Sequence, residues 1–422
     1  MITWRKGITL LSLLGSFVGW SIVGNAQATR LEHIETIDAR TWDFSKRLPL
    51  SGNWSVVENK IVTPEDLYNE NLTTVFFPSI WNNQRADGKG IGYATYALNV
   101  LIPDSLGQMA LEIPSMNTSY NVWANGKLIA SAGTVGVSRD ESVPQWVHKI
   151  VSFSPSGDTI RLVVQLSNFH HHKGGGGRNA IYLGTEERIK SHFNWAIASN
   201  VSEAIVLALE GIIFLFVYWK MNKPVILFFS LLCITWSIRS IFSNLYPLIL
   251  VFPDFNWEWQ VKIEYITLYL TCIWAALFFS KLFRENSNFL LTYLPIMLNV
   301  IFVIFTLLTP AIVYTRWIST YLGVAALVIL YAVILIIRAL ITDRAGSWFL
   351  MSTIWIAVLL FGYDIVAYEG SFAYNIVFLN VGYVVIFILT TIALLFHLGI
   401  LKSKTDEKEF LSYKDLYKKD PS

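Results

Sequence analysis

The second half of the chain carries seven long apolar runs, beginning near Ala196, Pro224, Val261, Phe289, Trp317, Trp348 and Asn375. Each reaches roughly 20 residues, the length that crosses ~30 Å of hydrocarbon as a helix. Lipid offers no water to the backbone, so such runs must satisfy their own N–H and C=O groups by folding as helices. The chain therefore reads as a multi-pass membrane protein. An odd number of spans puts the two ends of the bundle on opposite sides of the bilayer. Such a chain either communicates across the membrane or moves something through it. Charged residues make up only 15% of the sequence, against ~25% in soluble domains. The formal net charge of +2 provides no basic surface for nucleic acid.

The N-terminus has the layout of a targeting segment. Arg5 and Lys6 precede an apolar stretch from Ile8 to Val23, and Asn25-Ala26-Gln27-Ala28 follows as an A-x-A cleavage pattern. This predicts a signal peptide over 1–28 and a mature chain from Thr29. The alternative is an uncleaved eighth helix, which Gly15, Gly19 and Gly24 would interrupt. Residues 29–192 are then expected outside the cytosol. Loop charges agree. Lys220, Lys223, Lys281, Arg284, Arg338, Arg344, Lys402 and Lys404 fall on one side; Asp254, Glu258 and Glu369 fall on the other, where Arg316 is the main exception. The Lys/Arg bias puts the C-terminus in the cytoplasm. Trp257, Trp259, Trp317 and Trp348 are expected as interface anchors.

The exported segment changes character. Short β-branched or alternating runs occur at Trp54–Val57, Tyr93–Ile102, Leu111–Ile113, Tyr120–Ala124, Leu128–Ser131, Lys149–Phe153, Ile160–Leu166 and Ile181–Leu183. Turn residues separate them, including Pro103-Asp104, Pro155-Ser156-Gly157 and the hairpin signal Asn125-Gly126. About eight strands in ~140 residues suit a jelly-roll sandwich. The two cysteines, Cys233 and Cys272, lie in apolar runs. The exported domain thus has no disulfide framework and depends on its core. The fold class expected is an all-β extracytoplasmic domain over 29–192, an all-α seven-helix bundle over 193–402, and a short charged tail over 403–422.

Several short motifs carry a resemblance. In order they are Leu50-Ser51-Gly52-Asn53-Trp54, Pro78-Ser79-Ile80-Trp81, Gly92-Tyr93-Ala94-Thr95-Tyr96, Val122-Trp123-Ala124-Asn125-Gly126-Lys127 and Val163-Val164-Gln165-Leu166-Ser167-Asn168. The arrangement is similar to the sugar-binding jelly roll at the N-terminus of many glycosidases. More closely, with seven helices behind it, it resembles the bacterial seven-transmembrane receptors with diverse intracellular signalling modules. The resemblance implies a non-enzymatic receptor of the bacterial inner membrane. It would bind a small extracytoplasmic ligand, with a carbohydrate the class suggested, and use no cofactor. A homodimer is compatible with it. The tail departs from the family pattern, because only ~20 residues follow Lys402 and they match no kinase, cyclase or phosphatase module. A separate cytoplasmic signalling protein is therefore expected as partner. Asp406 to Tyr417, with Phe410 and Leu411, reads as a short helix that would meet it, or as a solvated end.

Candidate ligand residues follow from chemistry. The loop from Asn168 to Arg178 contains His170, His171 and His172, then four glycines. It reads as a long flexible connection, with His170, His171 and Arg178 as polar ligand contacts or as a solvated loop. Adjacent histidines rarely converge on one ion, so no metal is assigned. Trp81, Tyr93, Tyr120 and Trp123 are candidate stacking faces for a sugar, or else sandwich core. In the bundle, Glu203, Glu210, Arg239, Glu264 and Asp364 are ionisable residues at membrane depth, which are functional candidates by default. At ~1.5 Å per residue, Glu203, Arg239, Glu264 and Asp364 share one layer roughly 22–27 Å above the inner face. An ion pair of Arg239 with Glu203 or Asp364 is expected, unless these groups snorkel to the interface. The last span, Asn375 to Leu401, has no lysine for a retinal Schiff base, and His397 is the sole histidine in the spans. The rival readings are a transporter or enzyme working around Glu210, or a cell-envelope assembly factor.

Overall fold

A computed structural model describes residues 34–103, 106–368 and 375–401. The expected signal peptide, Glu369, Lys402, Lys404 and the 403–422 tail lie outside the described residues.

The N-terminal region is a two-sheet β domain. Its strands are β1 (Thr36–Asp38), β2 (Leu48–Pro49), β3 (Gly52–Glu58), β4 (Thr73–Phe77), β5 (Gly92–Leu101), β6 (Met109–Ile113), β7 (Ser119–Ala124), β8 (Lys127–Ala132), β9 (Lys149–Phe153), β10 (Thr159–Asn168) and β11 (Tyr182–Thr185). The larger sheet runs β4-β3-β5-β10-β7-β8, with β1 parallel to β5; the smaller runs β2-β11-β6-β9. Trp54, Tyr96, Val122 and Val164 of the larger sheet face Leu48, Leu111, Ile113 and Leu183 of the smaller in one core. A second cluster of Val57, Val62, Leu67, Leu72, Ala97 and Val163 covers the opposite face of the larger sheet. That explains why β5 and β10 read as nearly continuous apolar runs instead of alternating ones: both of their faces are covered. Asn125 (φ +49°) and Gly126 (φ +79°) turn β7 into β8, the left-handed pair that a tight hairpin requires.

Among the described residues, seven helices are long and apolar enough to cross a membrane. They are α1 (Glu186–Met221), α2 (Pro224–Phe242), α3 (Trp257–Leu282), α4 (Phe289–Leu308), α5 (Ile318–Ile341), α6 (Ser347–Tyr368) and α7 (Ile376–His397). Helix α7 packs against both α6 and α1, closing the bundle. Helices α1 and α2 approach closely. Ser230 Oγ donates to the Gly211 carbonyl and Ser237 Oγ to that of Ala204, both at 2.7 Å. A Cβ on Gly211 would stand 2.6 Å from Ile234 Cγ1.

Two features join the halves. Thr185 ends β11 and is also the N-cap of α1, its Oγ1 accepting from Arg188 N at 3.4 Å. No linker separates sheet from helix, and α1 starts well before the apolar run at Ala196. The sandwich core also continues into the bundle, through Tyr246, Ile249, Trp257, Val261, Ala311 and Tyr314. Trp257, expected as an interface anchor, is buried in this junction, whereas Trp259, Trp317 and Trp348 are exposed.

Candidate functional site

The four aromatic candidates do not share a surface. Trp81 and Tyr120 lie in the sandwich core, 1% and 0% exposed, so of the two roles open to them they take core packing and not an open stacking face. Trp81 Nε1 donates to Tyr96 Oη at 2.6 Å, and the Arg85 guanidinium covers its ring at 4.2 Å. Tyr93 is half-buried beside Phe169, with centroids 6.2 Å apart. Trp123 packs on the cluster behind the larger sheet. Core packing supports these large rings better than a solvent-facing role would, because each buries a large apolar area.

The histidine–glycine loop is corrected. It is not a flexible connection: His171 and Gly174 to Gly177 are buried. Three asparagines tie it down. Asn168 Nδ2 donates to the Gly90 and His171 carbonyls at 2.6 and 2.8 Å, Asn82 Oδ1 accepts from Gly174 N at 2.8 Å, and Asn117 Nδ2 donates to the Lys173 carbonyl at 3.2 Å. The glycines serve close approach. A Cβ on Gly175 (φ +69°) would fall 1.8 Å from the Trp81 ring, and one on Gly177 2.4 Å from Phe77.

This loop sits on the bundle. The His172 N–H donates to Thr315 Oγ1 at 3.1 Å. Beside it, Trp146 is the central wedge, 5.3 Å from the His171 ring, 5.6 Å from Tyr246 and 5.6 Å edge-on to Trp257. His170 meets Trp257 at 6.2 Å. Gln145 Nε2 donates to the Pro253 carbonyl at 3.2 Å. Burial lowers the His171 pKa to about 3, so the ring is neutral near pH 7. Burial also lowers His170 and His172, aided at His172 by the Arg316 charge. At the other side of the junction Glu112 on β6 holds Arg47 Nη1 at 2.5 Å and His148 Nε2 at 3.2 Å, with His192 of α1 3.7 Å away. Burial works to raise the Glu112 carboxyl, yet the His148 contact and the Arg47 and His192 charges hold it below its ordinary value.

Below the junction the polar layer forms in part. Trp236 Nε1 donates to Glu203 Oε1 at 2.9 Å. With its amide turned to satisfy both sides, Asn380 donates to Glu203 Oε2 at 3.1 Å and accepts from Ser199 Oγ at 3.0 Å. Arg239 differs from expectation. Its Nη1 donates to the Glu264 carbonyl at 2.6 Å, and among the described residues no carboxylate lies within 4.0 Å of it. Tyr383 packs edge-on against Trp236, the partner of Glu203, with ring centroids 4.9 Å apart. Glu210 is set apart from this group and accepts from Thr391 Oγ1.

A groove of about 480 Å³ opens at the other end of β5 and β10, within the size range of small-molecule sites. Tyr68, 63% exposed, stands in its lining with Glu65, Asn99, Asn125, Asp158 and Arg161. Asn99 Oδ1 is buried and has no hydrogen-bond partner among the described residues. Asn125 fixes the rim, accepting from Arg161 N at 2.8 Å and donating to Ser156 Oγ at 3.3 Å. None of these residues was singled out above. Asn125-Gly126 and Pro155-Ser156-Gly157 read from the sequence as turns, and those turns build the rim.

The family model described as 7TM diverse intracellular signalling matches residues 204–401. None of the curated proteins compared matches the chain. Among solved structures, the chain is similar to a GH2 beta-galacturonidase from Eisenbergiella tayi bound to galacturonate, with 17% identity, 33% of this chain and 24% of that one covered, and a TM-score of 0.25. A Faecalibacterium prausnitzii beta-glucuronidase gives 16% identity, 33% and 31% coverage and a TM-score of 0.25. A Ruminococcus gnavus beta-glucuronidase gives 13%, 32% and 27%, and 0.26. The chain spans a quarter to a third of the length of these enzymes.

Proposed function

Since the chain belongs, through its helical bundle, to the 7TM diverse intracellular signalling family, we propose how this transmembrane signalling receptor is operated. The β domain is a jelly roll on the periplasmic side of a bacterial inner membrane, and the C-terminus is cytoplasmic. A small carbohydrate binds the Tyr68–Asn99–Arg161 groove. Tyr68 offers a ring face to the apolar side of a sugar, while Asn99, Arg161, Glu65 and Asp158 offer acceptors and donors to its hydroxyls. The family assignment supports a receptor rather than an enzyme.

The observation that carries this reading is a shared pair of strands. β10 brings Arg161 to the groove and, at its other end, Asn168 to the histidine loop. β5 likewise runs from Asn99 back to Gly92, paired with Asn168. A shift at the groove therefore reaches His171, Trp146 and Arg178 through about 23 Å of hydrogen-bonded sheet. The network of Glu203, Arg239, Glu264 and Asp364, with Glu210 deeper, is the element whose pairing changes. Ligand binding biases that equilibrium, and a separate cytoplasmic protein reads it.

The test is binding of a panel of mono- and oligosaccharides to full-length protein in nanodiscs. Tyr68→Ala and Arg161→Ala are expected to weaken any hit by about tenfold or more, roughly 1.4 kcal/mol, without lowering the melting temperature. Binding that survives both substitutions rejects the groove.

A further inference from the structure

A second cavity, of about 370 Å³, lies where the rim of the β domain meets the connection between α4 and α5. Its lining is Ile91 and His172 from the domain, then Ile312, Val313, Arg316 and Trp317 from the connection. The wall is apolar and partly open, with Ile91 38%, Val313 39% and Trp317 48% exposed. Arg316 is the one full charge in the lining. It is exposed, and among the described residues no carboxylate comes within 4.0 Å of it. We propose that this cavity holds one anionic phospholipid, its headgroup on Arg316 and the upper part of an acyl chain against Ile312, Val313 and Trp317.

Three observations argue for a lipid over a soluble ligand. Ile312, Val313, Arg316 and Trp317 lie in the first turns of the apolar span Ala311–Ile341, so the cavity stands at the end of that span, beside the β domain. Tryptophan is favoured at that boundary. Second, Arg316 is the cation that breaks the charge bias of the loops. A phosphate would offset that charge on the side poor in lysine and arginine. Third, the two halves of the lining match the two halves of an amphiphile, an open cation beside an apolar wall. The cavity is also held in place: the His172 N–H on Thr315 Oγ1 pins the domain to the connection at its edge. A lipid here would span both parts, so its presence would brace the junction described above. The proposal does not depend on the ligand groove.

Native mass spectrometry on full-length protein released from phosphatidylcholine nanodiscs, with and without phosphatidylglycerol, tests it. One retained phosphatidylglycerol per chain is expected, in preference to phosphatidylcholine. Arg316→Ala should reduce that retention by about fivefold, the effect of one cation near an anionic surface. Arg316→Lys should keep it, and Val313→Trp should lose it by filling the wall while leaving the charge. Arg139→Ala, removing an exposed cation outside the lining, should change nothing. Equal retention of the two lipids, or retention that ignores both Arg316→Ala and Val313→Trp, overturns the proposal. So does displacement of the retained lipid by millimolar inorganic phosphate, which would assign the cation to a soluble anion.

Discussion

The two ends of the helical bundle are built on opposite plans. Near the sandwich, the interior holds Glu203, Asn380, Asn200, Arg239 and Glu264, beside the aromatic wedge of Trp146, Tyr246 and Trp257. At the far end it is mainly apolar, with the Thr292–Tyr331 hydroxyl pair as an exception. Phe214, Phe229 and Phe278 meet with centroids 5.0 and 5.5 Å apart, backed by Leu335 and Leu394. A close-packed apolar block has one good arrangement and transmits displacement with little loss. A layer of partly paired polar groups has alternatives, because donors such as Trp236 and Asn380 can exchange acceptors. The difference teaches which end of such a bundle has the freedom to rearrange: on the reading proposed above, the end nearest the ligand.

The sharpest way to break this contrast is at the wedge. Trp146→Ala removes a buried ring shared by sandwich and bundle, and about 3–5 kcal/mol of stability is expected to go with it. The sandwich and bundle should then melt in separate transitions in differential scanning calorimetry of the full chain. A single transition at the original temperature would show that the junction does not couple them.

A smaller effect is expected at Glu203. Alanine there leaves Trp236 Nε1 and the Asn380 amide without their acceptor, at about 1–3 kcal/mol. Glutamine keeps one acceptor oxygen and should cost less. Should both substitutions leave chemical denaturation in detergent untouched, the polar layer is not organised around this carboxylate.

The gentlest probe is pH. The His171 pKa is lowered to about 3 by burial, while an unfolded histidine titrates near 6.5. Between those values the unfolded chain binds the extra proton, so stability falls as pH falls, by up to about 1.4 kcal/mol per pH unit. The contribution is fully present above pH ~6.5. The Glu112 carboxyl, also held below its ordinary value, loses its stabilising contribution in the same direction at lower pH. Thermal melts of wild type and His171→Phe from pH 7 to pH 5 should diverge, the variant showing the shallower slope. Parallel slopes would remove His171 from the account.

Much of the architecture was legible because apolar length and β-branched runs report directly on what they bury. The short strands at Thr36–Asp38 and Leu48–Pro49 were not, since two or three residues show no period. Thr73–Phe77 had strand-like composition and went unread. The glycine loop misled for a physical reason: glycine serves freedom and close approach equally, and only the position of Trp81 over Gly175 distinguishes them. Arg239 was expected to seek a carboxylate, yet helix packing offers it the Glu264 carbonyl first. The groove was invisible because Tyr68, Asn99, Asn125 and Arg161 come from separate segments that only the sheet order brings together. Trp236 had no signal as the partner of Glu203 until the facing sides of α1 and α2 were known.

The unbroken passage from β11 into α1 has a mechanical consequence. With 36 residues rising ~1.5 Å each, the helix is a lever about 54 Å long. A rock of about 5° at its sheet-bound end sweeps the opposite tip by roughly 5 Å, close to one helical pitch. If the fulcrum lies within the bilayer, where Gly211 and Ala204 meet α2, the tip moves against the sense of the sandwich. A rotation of the β domain too small to disturb its core would then arrive on the other side reversed, and reduced because the arm beyond the fulcrum is the shorter one.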